Sequence, residues 1–138
     1  MNESYVIGCG RLGASIANDL SKANKEVIII DNNPSSFALL DEDFSGIARA
    51  ADASDLDELI RLKIKNAREV YITAGDDNLS LLLAEACAVE FEIPYVYVRF
   101  DDAALGILVQ RQSNIKAIYP FKLTRDRLDL LRSGSEGE

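Results

Sequence analysis

Apolar residues in this chain fall into short continuous runs, separated by stretches in which they recur with helical spacing. The runs cover residues 4–7, 26–31, 45–50, 70–73, 95–98 and 115–119, and each reads as a strand. Between the first two, Ile16 and Leu20 oppose Asp19 and Lys22, an amphipathic helix ending near Lys22. Asn33 and Pro34 predict the cap and first residue of a short helix through Phe37, Leu39 and Leu40. Ser54 with Asp57 resembles a capping box, opening a helix that carries Leu56, Leu59, Ile60 and Leu62. Asp76 or Asp77 caps a long helix with Leu79, Leu82, Leu83, Ala86 and Val89. Asp101-Asp102 caps another, through Leu105, Leu108 and Val109. Pro120 breaks the sixth strand, and 121–131 reads as a final helix before a polar, flexible tail at 133–138. Continuous apolar strands alternating with helices predict an α/β fold with a parallel sheet covered on both faces.

The first 31 residues sharpen that reading. The strand at 4–7 runs into Gly8-Cys9-Gly10-Arg11-Leu12-Gly13, a G-x-G-x-x-G turn opening a helix, and the second strand ends on Asp31, 18 residues after Gly13. Gly8 allows the tight turn, Gly10 lets a pyrophosphate approach the backbone, and Gly13 lets helix and strand pack closely. The helix N-terminus offers free N–H groups and a positive dipole end to phosphates. A carboxylate at Asp31 accepts both hydroxyls of an adenosine ribose and repels a 2′-phosphate, which favours NAD or another adenine nucleotide over NADP. The fold expected is a Rossmann-type doubly wound parallel six-stranded sheet, order 3-2-1-4-5-6, in a single domain.

Ligands of such sheets bind beyond the carboxyl ends of the strands. Besides the glycine turn, that edge carries Asp31 and Asn32, Asp52 and Ala53, Thr73 and Ala74 with Gly75, and Arg99. Arg11 neutralises phosphate or is an exposed helix arginine. Asp52 accepts from an adenine amino group or serves the turn before Ser54. Thr73 bonds ribose or phosphate, or is there for strand propensity. Arg99 reaches a phosphate or pairs with Asp101.

Composition narrows the function further. The 138 residues suffice for one domain that buries roughly 70% of its unfolded surface. A net charge of −8 argues against nucleic acid or an anionic membrane as partner. The chain has no histidine and only two cysteines, Cys9 and Cys87, so neither a zinc site nor a histidine triad is expected. It enters a strand at once and has no long apolar stretch, so neither a leader nor a membrane span is expected. No Tyr-x-x-x-Lys motif and no second domain supply the acid–base chemistry of a dehydrogenase. The reading is therefore a nucleotide-binding module that is not an enzyme. Its rivals are the cofactor-binding fragment of an NAD-dependent oxidoreductase, and a redox sensor whose Cys9 thiol is acidified by the helix terminus.

The glycine turn at 8–13, the series 27–34 with Phe37, Asp52-Ala53, Thr73 followed by Asp76-Asp77-Asn78, and Val98-Arg99 together resemble the KTN/RCK domain. This is the nucleotide-binding lobe of Trk/Ktr potassium-uptake regulators and of gated potassium channels. The resemblance covers residues 3–131 and implies one lobe over 1–132 with a crossover helix at 121–131. It implies binding of NAD(H), ATP or ADP by Gly8, Cys9, Gly10, Arg11, Leu12, Gly13, Asp31, Asn32, Asp52, Ala53, Thr73, Ala74 and Arg99. It further implies a cytoplasmic homo-oligomer, a dimer or ring of dimers, beneath a membrane-embedded potassium channel or transporter subunit. Nucleotide exchange would change the shape of that assembly and gate potassium flux. Phe121, Leu123, Leu128, Leu130 and Leu131 would lie at the dimer contact. The chain departs from the family in having Ala51 where glycine is common, and in lacking the C-terminal lobe, which has either been trimmed away or is supplied by a separate chain.

Overall fold

A computed structural model of the chain describes residues 2–134. Six parallel strands form one sheet in the order β3-β2-β1-β4-β5-β6. They are β1 Glu3–Ile7, β2 Val27–Asp31, β3 Ile47–Ala50, β4 Ala67–Ile72, β5 Tyr95–Arg99 and β6 Ile115–Ile118. The order reverses beside β1, where Ile7 is registered against Ile30 on one side and Ile72 on the other. Right-handed crossovers then place the helices after β1 and β4 on opposite faces.

Each face has its own core. On one, α1 (Arg11–Lys22) turns Gly13, Ala14, Ala17 and Ser21 inward. Its small residues let the helix lie close to Val6, Val27 and Ile29. On the other, α2 (Leu56–Arg61) and α3 (Asp77–Glu85) bury Leu59 and Leu83 against Tyr5, Ile7, Val70, Ile72 and Val96. Because both faces are covered, the central strands are apolar at successive positions, which is why the pattern was readable.

Several boundaries moved for identifiable reasons. The helix after β3 is capped by Asp55, whose Oδ1 accepts from the N–H groups of Asp57 and Glu58, and not by Ser54. Ser54 is taken by the preceding turn: its N–H and hydroxyl both donate to Asp52 Oδ1, at 2.9 and 2.6 Å. Asp76 caps α3, and Asp77 instead accepts from the N–H groups of Asp101 and Asp102. The long helix through Val89 ends as α3 and continues in a π turn, Ala86–Glu90. The segment capped by Asn33 is a 3₁₀ helix, Pro34–Leu39. After β5, Asp102 caps a 3₁₀ turn that leads into a short α4, Gly106–Val109.

The last helix, α5 (Pro120–Arg132), begins on the proline that ends β6 and has no buried residue. Phe121 and Leu123 are 58% and 66% exposed. Of the tail expected at 133–138, residues 135–138 lie outside the described residues.

The core sets a pH limit. Cys87 is fully buried, and burial pushes its thiol from 9.0 up to about 12. The folded state keeps a proton that the unfolded chain releases, so this contribution is complete below pH 9.0 and fades toward about pH 12. Denaturant midpoints measured at about pH 8 and about pH 10.5 should fall with pH. The fall should be smaller in Cys87→Ala.

Candidate functional site

The reversal of strand order leaves a crevice at the carboxyl ends of β1, β2, β4 and β5, and a cleft of about 390 Å³ opens there. Its floor is the glycine turn. Gly8 has φ +105°, a conformation that side-chain-bearing residues rarely adopt. A Cβ on Gly13 would stand 1.8 Å from the Gly8 carbonyl oxygen, so α1 is pressed onto the turn at a distance only glycine permits. Gly10 caps α1 without any side-chain hydrogen bond, and a Cβ built there meets nothing within 4 Å. The first amides of α1 therefore receive no side-chain cap, and the space before them is open.

Two side chains fix the turn. Asp31 Oδ2 accepts from Cys9 N–H at 2.8 Å, and its Oδ1 accepts from Asn33 N–H at 2.8 Å. Each oxygen keeps a lone pair free for a hydroxyl donor. Thr73 Oγ1 shares its proton between the carbonyls of Gly8, at 3.0 Å, and Ile7, at 3.2 Å. That hydroxyl ties β4 to β1 and is committed to the backbone as a donor.

Of the residues singled out from sequence, Gly8, Cys9, Gly10, Asp31, Asn32, Asp52, Ala53, Thr73, Ala74 and Arg99 line this one cleft. Arg11, Leu12 and Gly13 do not. Arg11, the first residue of α1, lines a shallow groove with Ser15, Asn18 and Lys22 along the outside of the helix. Gly13 is a packing residue. Asp52 holds the turn to Ser54, whose hydroxyl first and amide second keep its carboxyl below the ordinary range. Arg99 pairs with Asp101 at 3.2 Å, and its buried Nε has no partner. Ser36 and Leu79 also line the cleft and were not foreseen, because each comes from a helical turn beyond the strand ends. Their only signal in sequence was their place, each three residues after its cap, Asn33 or Asp76.

The structure overturns the redox reading of Cys9. The residue is 1% exposed and its Sγ donates to the Ser36 carbonyl at 3.4 Å. Burial, with Asp31 adding to it, raises the thiol rather than acidifying it. Among the described residues no cluster of three metal-ligating side chains occurs, and no helix is long and apolar enough to cross a membrane. The arrangement can hold ribose hydroxyls on a fixed carboxylate and phosphate on backbone amides.

A family model described as the TrkA-N domain matches residues 5–120. The Trk system potassium uptake protein TrkA of Streptomyces coelicolor is 29% identical over 133 residues, covering 95% of this chain and 59% of that protein. The Ktr system potassium uptake protein A of Bacillus subtilis is 26% identical over 117 residues, covering 85% of this chain and 52% of that protein. The chain thus spans little more than half the length of these relatives. Among solved structures, GsuK bound to ADP superposes with a TM-score of 0.81 at 19% identity, covering 98% of this chain and 35% of that one. The GsuK channel bound to NAD gives 0.80 at 20%, covering 99% and 24%. The NAD(P)-binding domain of an exopolyphosphatase-related protein from Archaeoglobus fulgidus gives 0.71 at 23%, covering 96% and 99%. These likenesses establish the fold: a six-stranded parallel sheet in the order 3-2-1-4-5-6.

Proposed function

Because the chain belongs to the TrkA-N domain family, we propose that it is the nucleotide-binding lobe of a potassium-uptake regulator, sensing NAD(H), ATP or ADP without transforming it. The observation that carries this reading is the Asp31 carboxylate, fixed by two backbone N–H groups beside the uncapped start of α1. A ribose hydroxyl pair and a pyrophosphate need donor and acceptor groups of that kind in that order. Ala51 and Ala53 give the same cleft apolar lining for an adenine, and Arg99, with its unpartnered Nε, also lines it.

The site would act as a regulator by biasing an equilibrium. A nucleotide that binds one assembly geometry better than another shifts the population toward it. The exposed apolar residues of α5 are the surface through which two lobes would pair, and a membrane-embedded potassium transporter or channel subunit would read the result from the cytoplasmic side. The family resemblance implies that the remaining length of the relatives holds a C-terminal lobe, with which this lobe would act.

Calorimetric titration with NAD, NADH, ADP and ATP tests the proposal. One or more should bind with unit stoichiometry, and the preferred one names the signal. A folded chain that binds none of them, or that catalyses hydride transfer to a discrete substrate, overturns it.

A further inference from the structure

A second groove, of about 360 Å³, lies on the face of the sheet that α2 covers, and shares no residue with the nucleotide cleft. One wall is the edge strand β3. Its Ile47 and Arg49 are registered against Ile28 and Ile30 of β2, so all four share one face. The other wall is the end of α2 and the turn after it, with Arg61, Leu62 and Lys63. Three cations therefore converge on one groove in a chain whose net charge is −8. None of the three has a carboxylate partner among the described residues; Arg49 donates only to the carbonyl of Ala48, at 3.4 Å. Glu3, the one acid of the lining, already has a partner of its own.

Two features separate this groove from an ordinary solvated surface. A lone arginine on an edge strand is explained by the need to block sheet extension, but that need does not reach Arg61 and Lys63 on α2. Lys63 is also held at φ +65°, ψ +34°, left-handed backbone that lysine adopts at a cost and glycine adopts freely. The turn thus carries a cation where the backbone alone would favour glycine.

We propose that this groove binds an organic phosphomonoester. Two guanidinium forks and one ammonium suit a dianionic phosphate, and Ile28, Ile47 and Leu62 offer an apolar floor to the group esterified to it. The volume is that of a site for a small molecule. The same chemistry is presented by a soluble organic phosphate and by the headgroup of phosphatidic acid.

The test is an amide chemical-shift titration of the chain with phenyl phosphate, run beside inorganic phosphate and vesicles containing phosphatidic acid. Phenyl phosphate should shift the amides of 47–49 and 61–64, more strongly than inorganic phosphate does. Arg49→Ala and Lys63→Gly should each weaken it about tenfold. Lys63→Gly relaxes the left-handed turn, so its melting temperature should hold or rise, and its loss of binding then reports the ammonium alone. Vesicle binding that phenyl phosphate displaces assigns the ligand to a lipid headgroup; phenyl phosphate binding without vesicle binding assigns it to a soluble ester. Shifts confined to 8–12, no shifts at all, or unchanged affinity in both variants overturns the proposal. Because the readout is by residue, failure here leaves the nucleotide cleft untouched, and failure there leaves this groove untouched.

Discussion

Gly13→Ala is expected to lower stability by about 3 kcal/mol or more, because overpacking against backbone has no flexible side chain to yield. The added Cβ would fall 1.8 Å from the Gly8 carbonyl oxygen and 2.7 Å from Thr73 Oγ1. Either α1 lifts from the sheet or the turn is displaced, and both uncover the buried side of α1. In thermal melts the midpoint should drop by about 10 °C for a chain of this size. Gly10→Ala is its counterpart. The residue has φ −82° and open space where a Cβ would go, so the variant should melt with the parent. Its methyl group would nevertheless stand before the α1 amides, and nucleotide affinity should fall while stability does not. A Gly13→Ala variant that melts unchanged would mean that α1 is not pressed on the turn.

Asp31→Ala is expected to weaken adenine nucleotides about a hundredfold, roughly 3 kcal/mol for two hydrogen bonds to a charged acceptor. The same change releases the N–H groups of Cys9 and Asn33, so the glycine turn loses its tie to β2. Asp31→Asn should not restore binding, since its amide group would present a donor to one of those two donors. The diagnostic readout is discrimination. The parent should reject NADP relative to NAD, and Asp31→Ala should narrow that ratio by removing the charge that repels a 2′-phosphate. Equal loss for both nucleotides would place the ribose elsewhere.

How much of this was legible in the sequence depended on whether a residue's partner was local. The central strands could be read because Tyr5-Val6-Ile7 and Val27-Ile28-Ile29-Ile30 have no polar phase, as a sheet covered on both faces requires, and their order followed from the glycine turn and Asp31. Gly8 and Gly13 were assigned their roles from spacing alone, and the positive φ and the 1.8 Å approach give those roles their physical content. The start of α2 was misread because Ser54 had two local options, and the Asx turn to Asp52 won over the cap. Arg11 was placed near phosphate by its position in the motif; in the fold it lines the groove of Ser15, Asn18 and Lys22 and not the cleft itself. The basic groove was invisible, since Arg49, Arg61 and Lys63 come from separate elements and meet only when β3 and the end of α2 are brought together. The hydrophobic positions of α5 were plain, but a sequence does not say whether an apolar face is covered.

That last helix has thirteen residues and no buried side chain, so the contacts within its own length weigh heavily in holding it. Pro120 sets its first turn, Thr124 donates to the Pro120 carbonyl, and Lys122 pairs with Asp126 one turn on. Such local terms leave a helix of this length marginal in water. With no side chain buried, α5 is expected to open at a lower free energy than the sheet. If two lobes pair through α5 as proposed, covering its apolar side chains would raise its helicity, and the order of this segment would then depend on concentration and report whether the lobe is assembled.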